Sequence, residues 1–302
     1  MAHTKRESME LYQLRSFAAI AETGQLTRAA EKLHVSQPAV SAQLKALEEE
    51  LEFSLFDRTP SGMVLTSAGK RLLADADKVL AAVQSMQNHA RSLKGEVVGK
   101  ARIGTLSDPN FIRVGEFIGA ATIRHPLIEL ELHQGVTGEL LAKVRDGELD
   151  ASFYYGELRY PQVAGIALRE IVYRVATPAS WGERLKDADW FEIAAQPWVI
   201  PPVISTHNLL VHALLREHGV VPTLVVEADQ EAVVGSLVVS GVGMALMRED
   251  VALERQAAGE ISLWRDIRIA STLWFVYQRE REEDPVIRAL IEVEKEVWGL
   301  DA

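Results

Sequence analysis

The 302-residue chain contains no cysteine, which removes disulfides, thiolate metal sites and thiol nucleophiles from consideration. It has no uninterrupted apolar run near the roughly 18 residues that would mark a membrane span. The segment Met1 to Met9 is polar and charged and lacks the apolar centre of a secretory leader; residues 1–8 read as a tail ahead of Met9. A cytoplasmic protein is expected. Low-complexity tracts are missing, as are HExxH, GxSxG, P-loop and post-strand GxGxxG patterns. Eight histidines are present, but His125, His133, His207, His212 and His218 form no metal-ligand spacing with nearby carboxylates. His207 and His212 stand five apart on a predicted helix and so point to different faces. No catalysis, no metal and no cofactor are expected.

Positive charge is also scarce. The formal net charge is −11, the wrong sign for a nucleic-acid binder, but it is unevenly placed. Residues 1–95 carry 12 Lys and Arg against 11 Asp and Glu, whereas residues 96–302 carry 20 against 32. The acidity therefore belongs to the C-terminal two-thirds, and the near-neutral N-terminal part is free to meet DNA.

What is present is an ordinary globular composition, 48% hydrophobic and 25% charged, on a chain long enough for two or three domains. Leu11, Leu14, Phe17, Ala18 and Ala21 have helical spacing, and Gly24 closes the segment. A short helix from Thr27 turns Ala29, Ala30 and Leu33 inward. After His34-Val35, Ser36 is placed as an N-cap and Pro38 lies in the first turn of a third helix. Val40, Leu44 and Leu47 bury one face of that helix, which leaves Gln37, Pro38, Ser41, Ala42 and Lys45 on the other. Phe53–Arg58 and Met63–Leu65 read as short strands around a turn at Thr59–Gly62.

A short helix, a tight turn and a second helix with a polar outer face make a helix-turn-helix, and the following hairpin makes a wing. In such a motif the second helix enters the major groove of double-stranded DNA. Gln37 can bond an adenine edge, Pro38 can pack on a thymine methyl, and Ser41 and Lys45 reach bases or phosphates. Arg58 on the wing suits a minor groove or a phosphate, and Thr66 a phosphate at a helix N-terminus. A plain three-helix bundle with the same residues merely solvated remains open on spacing alone.

Thr66 caps a long helix expected to reach about Lys94. Its apolar positions Leu72, Ala76, Val79, Val83, Met86, Ala90 and Leu93 step by four and three, a heptad seam. The seam fits a dimerising coiled coil or a stripe packed within the chain. Gly95 and Gly99 bracket a hinge.

Beyond residue 100, strands and helices alternate. Ala101–Leu106, Ile128–His133 and Ala151–Tyr155 are expected strands, followed by Ile171–Thr177, Trp198–Ile200, Thr223–Glu227, Gly243–Met247 and Thr272–Tyr277. Helices are expected near 110–124, 137–146, 207–218, 230–240 and 284–298. This order implies parallel βαβ units in two lobes, with crossing segments near 166–170 and 268–272 and a ligand cleft between the lobes.

The run Leu14-Arg15-Ser16-Phe17, then Gly24-Gln25-Leu26-Thr27-Arg28-Ala29-Ala30-Glu31-Lys32-Leu33-His34-Val35-Ser36-Gln37-Pro38-Ala39-Val40-Ser41, closely resembles the LysR-type transcriptional regulators. Leu47-Glu48, Leu55-Phe56-Asp57-Arg58 and Leu65-Thr66-Ser67-Ala68-Gly69 continue the resemblance, which is dense only to about residue 70. One departure is Ala42, where the family often has arginine. The resemblance implies an α/β fold class with a helical winged helix-turn-helix over 9–66, a linker helix over 67–95 and a periplasmic-binding-protein-like domain over 100–302. Lobe I would comprise 100–167 and 270–302, and lobe II 168–269. It further implies a homodimer or homotetramer on operator DNA, contact with RNA polymerase and a small-molecule effector between the lobes.

The resemblance places Ser107, Asp108 and Thr137 at the effector site on lobe I. On lobe II, Pro201-Pro202-Val203-Ile204-Ser205-Thr206 precedes a helix in the matching position, which offers Pro202, Val203 and Ile204. Ser107 and Thr137 are equally suited to capping their helices. Asp108 is unusual for a site that often takes organic acids, because a carboxylate there favours an amine. Tyr154 and Tyr155 end a strand at the same rim. A DNA-binding protein without ligand sensing is compatible with the same residues.

Overall fold

The structure is a computed structural model and describes residues 9–60, 62–92 and 96–300. The chain divides into two compact units, one ending at Ala90 and the other beginning at Arg91.

The first unit contains α1 (Leu11–Thr23), α2 (Leu26–Leu33), α3 (Gln37–Leu51), β1 (Phe56–Thr59), β2 (Gly62–Leu65) and most of α4 (Ser67–Ser92). The main-chain N–H of Glu10 donates to the Gln13 side chain at 2.7 Å, which fastens the start of α1. Gly24 ends α1 at φ 68°, a left-handed conformation that costs a glycine little. Ser36 caps α3 by accepting from the Ala39 N–H at 3.3 Å. Phe17 and Ile20 of α1, Ala29 of α2 and Val40, Leu44 and Leu47 of α3 close one core. Phe56 from the hairpin joins it, edge-on to Phe17 with ring centroids 5.6 Å apart. The first strand starts at Phe56, later than the expected Phe53, because the Glu48 carboxylate takes the N–H groups of Leu55 (2.7 Å) and Phe56 (3.3 Å). The expected helix end at Lys94 and the hinge glycine Gly95 lie outside the described residues.

The second unit opens with β3 (Gly99–Thr105), α5 (Val114–Arg124), β4 (Ile128–Gln134), α6 (Thr137–Asp146), β5 (Ala151–Tyr155) and β6 (Val163–Pro178). It continues through α7 (Gly182–Leu185), α8 (Trp190–Ala194), β7 (Pro197–Ile200), α9 (Thr206–Glu217), β8 (Thr223–Glu227) and α10 (Glu231–Val239). Then come β9 (Ala245–Arg248), α11 (Glu249–Ala257), β10 (Ile261–Leu263), β11 (Ile269–Gln278) and α12 (Pro285–Trp298).

The strands are not all parallel, as the alternation had implied. β3 pairs in parallel with β4 and β5, and β7 with β8, but β6 runs antiparallel to β11, β9 and β10. The reason is topological: the chain leaves lobe I along β6 and returns along β11, so these two strands must oppose. Residues 163–173 of β6 pair with β11, and residues 173–178 pair with β9 and β10 in lobe II. Lobe I is organised by Phe117, Phe153 and Phe275, whose rings meet at 5.6–6.1 Å and are all fully buried. Val286, Ile287, Leu290 and Val293 of α12 belong to the same core. In lobe II, Val234, Val238 and Met247 form a smaller cluster. Among the described residues no helix is long and apolar enough to cross a membrane.

Candidate functional site

In the first unit, Val40, Leu44 and Leu47 hold α3 against the core while Gln37, Pro38, Ala42 and Lys45 are exposed and Ser41 is half-buried. The inward face thus fixes the outward one, the arrangement a major-groove reader needs. Lys45 forms only a 3.4 Å ion pair with Glu49, both side chains largely in water, so its cation is easily surrendered to a phosphate. Arg58 on β1 is exposed and has no partner among the described residues. The wing is seated on the α1–α2 turn: the Met63 N–H donates to the Gly24 carbonyl at 2.8 Å. Gly62 is needed there, since a Cβ on it would stand 2.4 Å from that same oxygen.

Thr66 differs from expectation. Its hydroxyl accepts from the Gly69 N–H at 2.9 Å and donates towards the carbonyls of Ser54 and Leu55 at 3.0 and 3.2 Å. Proton and lone pair are both committed to locking the wing onto α4, which leaves the hydroxyl no free proton for a phosphate.

The seven seam positions on α4 do not share one environment. Ala76 is buried and Leu72 half-buried against the core of their own unit. Val79 and Met86 are 44% and 69% exposed, Val83 is half-buried and Ala90 exposed, while Leu93 lies outside the described residues. The helix therefore spends the start of its stripe on the winged unit. Met9, Leu51, Leu72, Ala76 and Val79 also line an open apolar groove of about 130 Å³ beside α1 and α3.

In the second unit a cavity of about 360 Å³ lies between the two lobes. Leu106, Ser107 and Asp108 after β3, and Gln134 to Thr137 before α6, form its lobe I wall. Pro201, Ser205, Thr206 and His207 at the start of α9, and Asp229, Gln230 and Glu231 before and on α10, form the other. Tyr155, Tyr173, Glu139, Val234, Leu246 and Met247 also line it. Strand ends and helix starts converge here because both lobes are built of βα units.

Ser107 lines this cavity with no hydrogen-bond partner among the described residues. Asp108 lines it too, but its charge is already answered. One oxygen accepts from the Phe111 N–H at 3.1 Å and the other from Arg248 of lobe II at 3.0 Å. Thr137 is buried at the seam between lobes, where its hydroxyl oxygen accepts from the main-chain N–H and the hydroxyl of Thr206 at 3.0 and 3.1 Å. Pro202, Val203 and Ile204 do not line the cavity; Val203 and Ile204 are 77% and 54% exposed. Their loop turns them out and delivers Pro201, Ser205 and Thr206 instead. Tyr155 lines the cavity and Tyr154 does not, its hydroxyl donating to the Glu157 carbonyl at 3.1 Å.

Sequence reasoning missed Arg248, Glu231, Asp229 and the cavity position of His207. Arg248 is 5% exposed and makes three ion pairs, to Asp108 (3.0 Å), Glu231 (3.2 Å) and Asp250 (2.6 Å), with its guanidinium 3.5 Å above the Phe111 ring. Arginine is suited to such a site because its flat fork bonds and stacks at once. The only sequence signal for it was a charged residue at the end of an apolar strand. Burial holds the Glu231 carboxyl above its ordinary range despite Arg248. Burial also pushes His207 down to about 4, so its ring is neutral at pH 7, and Nε2 has no hydrogen-bond partner among the described residues. The Tyr155 and Tyr173 hydroxyls are shifted upward by burial and stay protonated. Among the described residues no group of three or more histidine and carboxylate side chains could hold a metal ion.

Residues 11–70 match the bacterial regulatory helix-turn-helix protein, lysR family, and residues 94–299 the LysR substrate binding domain. The HTH-type transcriptional regulator TfdS of Cupriavidus pinatubonensis is 31% identical over 302 aligned residues, covering 96% of this chain and 99% of the relative. Among solved structures, full-length OxyR from Pseudomonas aeruginosa is similar with a TM-score of 0.71 at 23% identity, covering 96% of this chain and 95% of that one. Full-length CbnR complexed with its target DNA is similar with a TM-score of 0.60 at 22% identity, covering 95% and 99%.

Proposed function

Because the chain belongs to the LysR family of DNA-binding transcriptional regulators, with a winged helix-turn-helix and a substrate-binding domain, we propose that its operator binding is modulated by a small molecule held between its two C-terminal lobes. The observation that carries the DNA half is α3, whose buried face leaves Gln37, Pro38 and Lys45 exposed on its outer side. Two such helices from a pair of chains enter successive major grooves about one helical turn, roughly 34 Å, apart. Gln37 reads an adenine edge, Ser41 and Lys45 follow along the groove, and Arg58 reaches the flanking backbone.

The effector half is carried by the interlobe cavity and by its position against β6, whose Tyr173 lines it and which runs from one lobe to the other. A ligand that binds one lobe arrangement more tightly moves the population toward it, and the change passes to the oligomer on DNA and to RNA polymerase. Pairing of two chains, as a homodimer or as the unit of a homotetramer, covers Val79 and Met86 and the apolar groove beside them. The protein acts in the cytoplasm, where the chromosome is. No catalytic step is assigned to it.

A footprint of the full-length chain on operator DNA, with and without each member of a metabolite panel, tests the reading. A ligand-dependent change in the protected bases is expected. Protection that is indifferent to the whole panel would instead favour a DNA-binding protein without ligand sensing.

A further inference from the structure

The charge of the interlobe cavity limits what it can hold, an inference that rests on the effector reading above. Four carboxylates line it, Asp108, Glu139, Asp229 and Glu231, and no lysine or arginine does. The Arg248 guanidinium, which pairs with two of these carboxylates, is shared by Asp108, Glu231 and Asp250 and is sealed against Phe111, so it is outnumbered and inaccessible to an incoming anion. Glu139 is answered by Lys143 at 2.7 Å. Asp229 is exposed and has no partner among the described residues. The cavity histidine, His207, is half-buried and neutral at pH 7 and supplies no positive charge. An organic acid would find hydroxyl and main-chain donors here but no cation, and its carboxylate would face a surplus of like charge.

We infer that the cavity recognises a small molecule bearing a protonated amine, seated against Asp229 and Glu231 across from Ser107. The electron-rich end of the same molecule has a place at the start of α6. Val136 there offers no side-chain cap, so the first-turn N–H groups of that ten-residue helix, whose Thr137 and Glu139 line the lobe I wall, have no side-chain acceptor among the described residues. The amine takes Asp229, which has no partner among the described residues, and shares Glu231, whose claim on Arg248 is divided with Asp108 and Asp250; Arg248 stays in place as the strut between lobes.

Ligand-observed NMR on the full-length protein tests this with matched probes: 4-aminobutyrate against butyrate, 1,4-diaminobutane against succinate, and ethanolamine against ethylene glycol. The amine of each pair is expected to bind and its partner not. Asp229→Asn should weaken the amines about tenfold or more, the loss of one charge-assisted contact. Glu231→Gln serves as a second variant, and an unchanged thermal midpoint for Asp229→Asn separates recognition from folding. Tighter binding of butyrate or succinate overturns the assignment of charge but leaves the cavity as an effector site. Amine binding that ignores Asp229→Asn, or no amine binding at all, also overturns it. Failure of every probe of either charge, together with a footprint indifferent to metabolites, would count against the effector reading itself.

Discussion

Arg248, at the end of β9, donates to the Asp108 carboxylate across 3.0 Å and so ties lobe II to lobe I. The pair is unequal: the Arg248 side chain is 6% exposed and that of Asp108 31%. Arg248 also serves Glu231 and Asp250 within its own lobe, whereas Asp108 has no other side-chain ion pair among the described residues.

Removing the arginine should therefore cost far more than removing the aspartate. Arg248→Ala strands Glu231 and Asp250 beside an apolar wall and should lose about 3 kcal/mol of stability, the low end of the range for breaking a buried pair, because the partners keep some solvent. Asp108→Asn should lose no more than about 1 kcal/mol, as a partly solvated pair does. It should also speed amide exchange at Thr206, whose N–H is held at Thr137 across the same seam. Urea unfolding and hydrogen exchange check both, and equal costs for the two variants would contradict this division of roles.

The lobes also touch through main chain. A Cβ built on Gly138 stands 2.0 Å from the Ile204 carbonyl oxygen, a backbone atom that cannot swing aside. Gly138→Ala should therefore part the two helix starts, breaking the Thr137–Thr206 bonds and weakening any cavity ligand. A crystal structure or small-angle scattering of the variant would reveal the wider cleft; an unchanged profile would show that the contact is not needed.

On the DNA side, Lys45 and Thr66 should behave differently. Lys45→Ala should remove a phosphate contact, so affinity should fall for all sequences and the slope of log affinity against log salt should drop by about 1. Thr66→Val removes a helix cap and the tie from wing to α4, so it should cost about 1 kcal/mol of folding stability. Salt titration of DNA binding and thermal unfolding distinguish them.

Glu294 gives the second unit a pH dependence. It is fully buried on α12, neither carboxyl oxygen has a well-formed hydrogen bond among the described residues, and burial, only partly offset by the nearby Trp298 side chain, raises it to about 8 from an ordinary 4.5. The folded state then keeps a proton that the unfolded chain loses, so stability is highest below the unfolded value and falls as pH rises from about 4.5 towards 8, by a few kcal/mol in order of magnitude. Glu294→Gln should remove that slope and stabilise the unit at pH 7–8. Urea midpoints from pH 5 to 8 check it, and parallel profiles for the two proteins would refute it.

Much of this was legible in the sequence. The recognition helix could be read because Val40, Leu44 and Leu47 must be buried and so force Gln37 and Lys45 outward. The strand Thr223–Glu227 and the helix start at Thr137 were read to the residue. The seam on α4 was harder, since periodicity shows that Leu72 and Ala76 are covered but not by what. Pro202, Val203 and Ile204 were chosen for their place before a helix, yet the turn directs Val203 and Ile204 to solvent and leaves Pro202 half-buried outside the cavity lining, a matter of local dihedrals that spacing does not report. Arg248 was invisible because its partners Asp108 and Glu231 lie 140 and 17 residues away.

The most direct test is selection of random duplexes by the full-length wild-type chain and by Gln37→Ala. The expected result is an enriched site with two half-sites about one helical turn apart, and loss of preference at one base position per half, worth about 1–3 kcal/mol, in the variant. Enrichment identical in both proteins, or none over bulk DNA, would contradict the claim that the outer face of α3 reads the operator.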